Sequence, residues 1–125
     1  MDGVAKTSLM TAAMRAVETN RTEAEGRLFV DPYADLLSGF EGHELLKKAI
    51  AAAGDQSAVV IRTAYMDQMI QEAIKSGVKQ LVFLAAGMDT RAYRLHFPSD
   101  VTVYELDRKE VLDYNSHPRG ARAVS

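Results

Sequence analysis

A continuous apolar run, Gln80-Leu81-Val82-Phe83-Leu84-Ala85, leads within two residues to a single glycine, Gly87. A second run, Val101-Thr102-Val103-Tyr104-Glu105-Leu106, is β-branched and aromatic and ends on an acid, Asp107. Short runs of this kind suit parallel strands covered by helices on both faces. Helical spacing precedes, separates and follows the two runs. The order helix, strand, helix, strand, helix predicts a doubly wound α/β sheet.

The first half of the chain reads as helical. Leu9, Met10, Ala13, Met14 and Val17 predict a helix through Val17, capped by Thr7 or Ser8. Thr19 to Arg27 is polar and reads as a loop. Asp31-Pro32 marks a helix start, because Asp31 can accept free N–H groups and the missing Pro32 N–H costs nothing there. Gly39 is expected to stop that helix, and a third is expected from Glu41 to Ala53, ending at Gly54. The longest periodic segment runs from Ser57 to Ser76. Ile61, Tyr65, Met69 and Ala73 repeat every fourth residue, widened by Met66, Ile70 and Ile74, so this stripe is expected in the core. Ser57 suits its cap, and Gly77 suits a left-handed residue at its end. A short helix is expected after Asp89, a turn at Pro98-Ser99-Asp100, and another helix from Lys109 to Tyr114. The divisions are residues 1–56, helical; 57–114, the first part of the α/β domain; and 115–125, a Pro/Gly-broken tail expected to be disordered.

Composition narrows the functional classes. The formal charge of the 125 residues is −2, with acids and bases interspersed, so no basic stripe argues for nucleic acid. No apolar stretch approaches a bilayer span, and the N-terminus lacks a signal-peptide layout, so a cytoplasmic protein is expected. Cysteine is absent, which removes disulfides and thiolate metal sites, and the three histidines are scattered. No metal site is expected.

The chemistry concentrates at the two strand tips. A loop that brings backbone close to a ligand favours a residue without Cβ, which is Gly87. Asp107 follows by about 20 residues, the interval of a dinucleotide-type site, where a carboxylate accepts ribose hydroxyls. A pyrophosphate needs a three-glycine loop and a free helix N-terminus. Here the loop is Ala85-Ala86-Gly87-Met88-Asp89, with one glycine and an acid that repels phosphate. A ribose-bearing ligand with no phosphate beside the loop fits better, and S-adenosylmethionine, a sulfonium with an adenosine and an amino-acid end, is such a ligand. Asp107 also suits a cap for the helix beginning near Arg108. Glu105, on the same face two residues inside the strand, suits a structural role. Asp89 is expected to hold the loop, and Arg91 and Arg94 to form surface contacts or ion pairs.

Leu84-Ala85-Ala86-Gly87-Met88-Asp89-Thr90-Arg91-Ala92-Tyr93-Arg94-Leu95 and Val103-Tyr104-Glu105-Leu106-Asp107 resemble the two signature segments of the leucine carboxyl methyltransferase family, most closely its bacterial, mycobacterial-type branch. Ile61-Arg62-Thr63 through Tyr65-Met66-Asp67 resembles that branch's preceding helix. Thr11-Ala12-Ala13-Met14-Arg15-Ala16 and Phe29-Val30-Asp31-Pro32-Tyr33-Ala34 resemble its N-terminal lid. The resemblance implies a Rossmann-like class I methyltransferase fold with a helical N-terminal lid, and S-adenosyl-L-methionine as methyl donor. It implies that Gly87 is the cofactor-loop glycine, that Asp107 holds the adenosine ribose and that Arg62 pairs with the cofactor's carboxylate. Arg15 lies where the lid can add a second basic contact. Eukaryotic members resemble Leu-Gly-Ala-Gly at the loop, so Ala85 replaces one close-approach glycine.

The implied reaction is methyl transfer to a carboxylate or hydroxyl of an unidentified small-molecule acceptor. No residue is nominated as general base. The family's complete domain is more than twice as long, so this chain is expected to be truncated and inactive alone. Two other classes compete. An NAD-binding oxidoreductase fragment is disfavoured by the missing glycines, and a non-catalytic helical interaction protein requires the Gln80–Ala85 and Val101–Leu106 runs to be helical.

Overall fold

The structure is a computed structural model and describes residues 2–116. Helices α1 (Gly3–Thr19), α2 (Ala34–Ala53) and α3 (Ser57–Lys75) precede strand β1 (Gln80–Leu84). A short helix α4 (Arg91–Arg94) then leads to β2 (Thr102–Leu106), and α5 (Lys109–Ser116) follows. The strands pair in parallel with Gln80 opposite Thr102 and Leu84 opposite Leu106. The fold is α/β, mostly helical, with a small parallel sheet. Because both runs form strands, the wholly helical alternative is excluded.

Local chemistry explains most element ends, and several differ from expectation. Helix α1 starts earlier than its apolar spacing suggests, because the Asp2 carboxylate accepts the Ala5 N–H at 3.0 Å. Ser8 and Thr11 lie inside that helix, and each donates its hydroxyl to the carbonyl three residues back. Thr19 to Arg27 contains a single 3-10 turn at Glu23–Glu25, closed by a reciprocal Thr22–Glu25 capping box. Asp31 Oδ1 accepts the Tyr33 N–H at 3.1 Å, but the Asp-Pro pair forms a turn ahead of the helix: α2 begins at Ala34, and its cap position, Tyr33, makes no side-chain bond. Gly39 breaks α2 (φ 56°, ψ −171°) without ending it, so two expected helices run on across a kink. Ser57 is the first residue of α3 rather than its cap; the cap position is Gln56, without a side-chain bond, and Asp55 just before it accepts the Ser57 N–H at 3.0 Å. At the far end Gly77 has φ 105°, and Val78 N–H reaches back to the Ala73 carbonyl in a Schellman closure.

The core lies between α1 and its neighbours. Ala5, Leu9 and Ala12 of α1 pack with Leu37 of α2, Met88 of the loop after β1, and Val111 of α5. Ala13 and Met14 pack with Leu46, with Val59 and Val60 of α3 against them. Each large apolar side chain so buried contributes about 1.5–3 kcal/mol. The α1–α2 crossing is close: a Cβ on Gly42 would stand 2.5 Å from the Leu9 carbonyl oxygen. No helix among the described residues is long and apolar enough to cross a membrane.

Two expectations about burial fail. Tyr65, Met66 and Met69, expected in the core with Ile61, are exposed, and on α3 only Thr63 and Ile70 are buried. The strands were expected to be covered on both faces, yet alternate residues face outward. Val82 is 54% and Leu84 74% exposed, beside Tyr104 and Leu106. Among the described residues one sheet face is uncovered, and the wide α3 stripe exceeds the surface available to bury it. Asn115 and Ser116, expected in the tail, belong to α5, and Asn115 is buried. The rest of that tail lies outside the described residues.

Candidate functional site

The strand tips meet. β1 and β2 are in register to their last residues, and the Ala86 N–H continues the ladder to the Leu106 carbonyl at 3.1 Å. One residue further, the Gly87 N–H donates to Asp107 Oδ2 at 2.8 Å. The other Asp107 oxygen accepts the Arg108 N–H at 2.7 Å. Asp107 therefore sits one residue before the α5 cap position and bridges the two tips. A carboxylate offers about four lone-pair sites, so these two bonds leave acceptor capacity.

The loop between β1 and α4 is bent by two left-handed residues, Ala85 (φ 51°) and Gly87 (φ 55°). At Gly87 the glycine is needed twice over, since an added Cβ would also meet Ser8 Cβ of α1 at 3.2 Å. Ala85 carries its Cβ in the same region, a strained state that persists only where surroundings fix it. They do. The Asp89 N–H closes onto the Ala86 carbonyl at 2.9 Å, and Arg15 donates to the Met88 carbonyl. Asn115 Nδ2 donates to the Gly87 carbonyl at 3.1 Å and to the Asp89 carbonyl at 3.0 Å.

Behind the loop lies an ionic network of three arginines and three aspartates. Arg15 Nε pairs with Asp31 Oδ2 at 2.9 Å, and the same oxygen accepts the Thr90 hydroxyl at 2.6 Å. Asp67 of α3 takes Arg91 at 2.7 Å and Arg94 at 2.6 Å, and Asp89 takes Arg91 at 2.6 Å. Asp89 also accepts the Arg91 N–H at 2.8 Å, so it holds the loop as expected. Burial alone would lower the Arg91 pKa, but the Asp89 and Asp67 carboxylates outweigh it and hold the guanidinium above its ordinary value. Arg94 lies 5.6 Å over the Phe29 ring.

All four residues singled out in the sequence line one cavity of about 380 Å³, enclosed by α1, the start of α3, the loop after β1 and the tip of β2. Gly87 and Asp107 line it side by side. Arg62, one turn into α3, is exposed and has no ion-pair partner among the described residues. Arg15 is buried, with Nε and one terminal nitrogen committed to Asp31 and the Met88 carbonyl. Arg91 and Arg94 also line the cavity, but their charges are matched within the network.

Sequence reading missed Asn115 and Asp67. Asn115 follows Val111 by one helical turn and shares its buried face. A polar side chain on a core face must find partners, and that was the available signal. Asp67 is largely covered although its α3 neighbours Tyr65, Met66, Gln68 and Met69 are exposed, and only the paired Arg91 and Arg94, three residues apart on one short helix, hint at an acid facing them.

The profile of the family described as "Leucine carboxyl methyltransferase" matches residues 8–117. The chain belongs to that family. It is 38% identical over 128 aligned positions, 94% of this chain, to a Mycobacteroides abscessus protein named "Putative S-adenosyl-L-methionine-dependent methyltransferase". A Mycobacterium avium protein of the same name is 39% identical over 90% of this chain. Each alignment covers 42% of the relative, so the chain spans about two fifths of the length of these curated proteins.

Proposed function

We propose that the chain is the S-adenosyl-L-methionine-binding part of a class I methyltransferase with a Rossmann-like sheet. Residues 57–114 supply the first part of the cofactor domain, and residues 1–56 a helical lid over it. The observation that carries this reading is the Gly87–Asp107 contact at 2.8 Å, which sets a bare backbone and a carboxylate side by side at adjacent strand tips. Asp107 accepts the ribose hydroxyls through its remaining lone pairs, and Gly87 lets the nucleoside approach the backbone. Arg62, unpaired at the rim, forks onto the donor's carboxylate. Arg15 adds the second basic contact through Nη1, its other nitrogens being held. The single glycine of the loop, with the Asp89 acid beside it, disfavours a pyrophosphate, which argues against the NAD reading. The cavity volume falls at the lower end of the ~300–1,000 Å³ range of ligand sites.

The bound donor supplies a methyl group on a sulfonium, and the acceptor is a carboxylate or hydroxyl of a small molecule. The protein's contribution is to align the reactants and exclude water, which supplies most of the acceleration in such displacements. Nothing in the site nominates a general base. Because the outer sheet face is open, we take the 125-residue chain to be inactive by itself. The setting proposed is cytoplasmic, without nucleic-acid or membrane partners.

Titration calorimetry of the full chain with S-adenosylmethionine, S-adenosylhomocysteine and NAD tests the reading. The first two should bind and NAD should not. Asp107→Ala should weaken binding about tenfold or more, since a charge-assisted hydrogen bond is worth about 1.5–3 kcal/mol. Arg62→Gln should weaken S-adenosylmethionine but leave 5′-methylthioadenosine, which lacks the carboxylate, unchanged. Binding that is indifferent to Asp107→Ala would reject the assignment.

A further inference from the structure

We infer that Asn115 is the positioning residue of the donor loop: its amide, by donating to the carbonyls on both sides of Met88, holds Gly87 where its N–H meets Asp107. The inference rests on the donor-site reading above. Asn115 is 1% exposed on α5, and its Nδ2 lies 3.1 Å from the Gly87 oxygen and 3.0 Å from the Asp89 oxygen. Both partners are acceptors only, so the amide must present its nitrogen to them, and its two hydrogens match the two carbonyls. The clamped segment is the one that needs it. Ala85 and Gly87 are both left-handed, and such backbone relaxes unless its surroundings over-determine it.

The arrangement also links the two halves of the site. Asp107 begins the turn into α5 and Asn115 lies near that helix's end, so β2–α5 grips the loop twice. Asp107 holds the Gly87 N–H, and Asn115 holds the Gly87 carbonyl. Both polar groups of one residue are therefore fixed by a single neighbouring strand–helix unit. Only an amide does this at position 115. A carboxylate would set oxygen against oxygen, and an aliphatic side chain would fill the space while leaving two partly buried carbonyls without that donor.

The test uses Asn115→Leu, which keeps the branched outline but is bulkier and apolar, and Asn115→Asp, which keeps the shape and removes the donors. Hydrogen exchange at the Gly87 amide of the full chain is read by NMR beside amides of the α1–α2 core, without ligand. Affinity for S-adenosylmethionine is measured on the same proteins. In both variants the Gly87 amide should exchange at least about tenfold faster while the core amides hold, and donor affinity should fall about tenfold, which corresponds to 1.4 kcal/mol. If Asn115→Leu lowers core protection as well, Asn115→Asp decides, measured where its core amides remain protected. Unchanged Gly87 exchange in a folded variant, or a loss spread evenly over the core, would assign Asn115 to packing and overturn the inference. If the parent chain does not bind S-adenosylmethionine, the donor-site reading fails, while the exchange result still decides whether Asn115 positions the loop.

Discussion

Arg15 Nε donates to Asp31 Oδ2 at 2.9 Å, with the two side chains 9% and 0% exposed. The pair joins α1 to the segment leading into α2. Thr90, bonded to the same Asp31 oxygen, extends it to the loop after β1. Three chain segments distant in sequence thus meet on one carboxylate. A buried ion pair is weak evidence of net stabilisation, because desolvation offsets the attraction, but removing one partner strands the other charge. Asp31→Ala should therefore destabilise by about 3–5 kcal/mol. Replacing both residues, as Arg15→Met with Asp31→Leu, should recover much of that loss. Chemical denaturation of Arg15→Met, Asp31→Leu and the double variant measures the coupling. Additive losses would mean that the pair does not act as a unit.

The two left-handed loop residues should respond oppositely to exchange of alanine and glycine. Gly87→Ala places a Cβ at positive φ and within 3.2 Å of Ser8 Cβ. It should cost about 1–3 kcal/mol, the range for strained backbone. Adding Ser8→Gly should recover only the steric share, because the backbone penalty stays. Ala85→Gly at φ 51° should instead stabilise modestly, since glycine adopts that conformation freely. Thermal melting of the three variants reads both signs, and equal effects at positions 85 and 87 would contradict the backbone account.

What the sequence disclosed, and what it withheld, follows from the range of each interaction. The β1 and β2 runs, the α3 periodicity and the left-handed Gly77 are local patterns, and each appears within a residue or two of its expected place. The nearness of Gly87 and Asp107 was also legible, because two parallel strands of equal length in register bring their tips together. Burial was not. Tyr65, Met66 and Met69 carry a core-like stripe, but whether a stripe is covered depends on neighbours that periodicity does not specify. Asn115 and Asp67 acquire their roles from partners more than 20 residues away, so no short motif marks them. Arg15 was read as a basic ligand contact, and its geometry shows two of its nitrogens committed within the protein, a division of labour that composition could not reveal.

At the opposite end of the sheet, Lys79 Nζ stands 2.7 Å from Asp100 Oδ2. The hydrogen bond from Lys79, helped by its charge, holds the Asp100 carboxyl below its usual 3.8. A carboxyl depressed in the folded state contributes stability above its unfolded pKa, and that contribution is lost as pH falls through the folded value. Both groups are exposed, so the effect on stability should be small and salt-sensitive. A carbon-detected NMR titration should place the Asp100 midpoint below 3.8 at low salt, and Lys79→Gln should return it toward that value. A midpoint that does not move in Lys79→Gln would show that the contact does not persist in solution.

The open sheet face carries the last prediction. Val82, Leu84, Tyr104 and Leu106 alternate with half-buried residues and stand at 54%, 74%, 41% and 49% exposure. Adjacent strands place these four side chains on one face, and a contiguous apolar patch attracts dyes, other chains or copies of itself. Val82→Thr with Leu84→Thr places β-branched residues at both strand positions while making the face more polar. Both side chains are substantially exposed, so each change should alter stability by no more than about 0.5 kcal/mol. The double variant should bind less anilinonaphthalene sulfonate and scatter less light at high concentration, with the Gly87 amide shift unaltered. If dye binding stays the same, the patch lies elsewhere, and the exposed side of α3, with Ile61 and Tyr65 at 58% and 62%, is where the same substitutions should next be made.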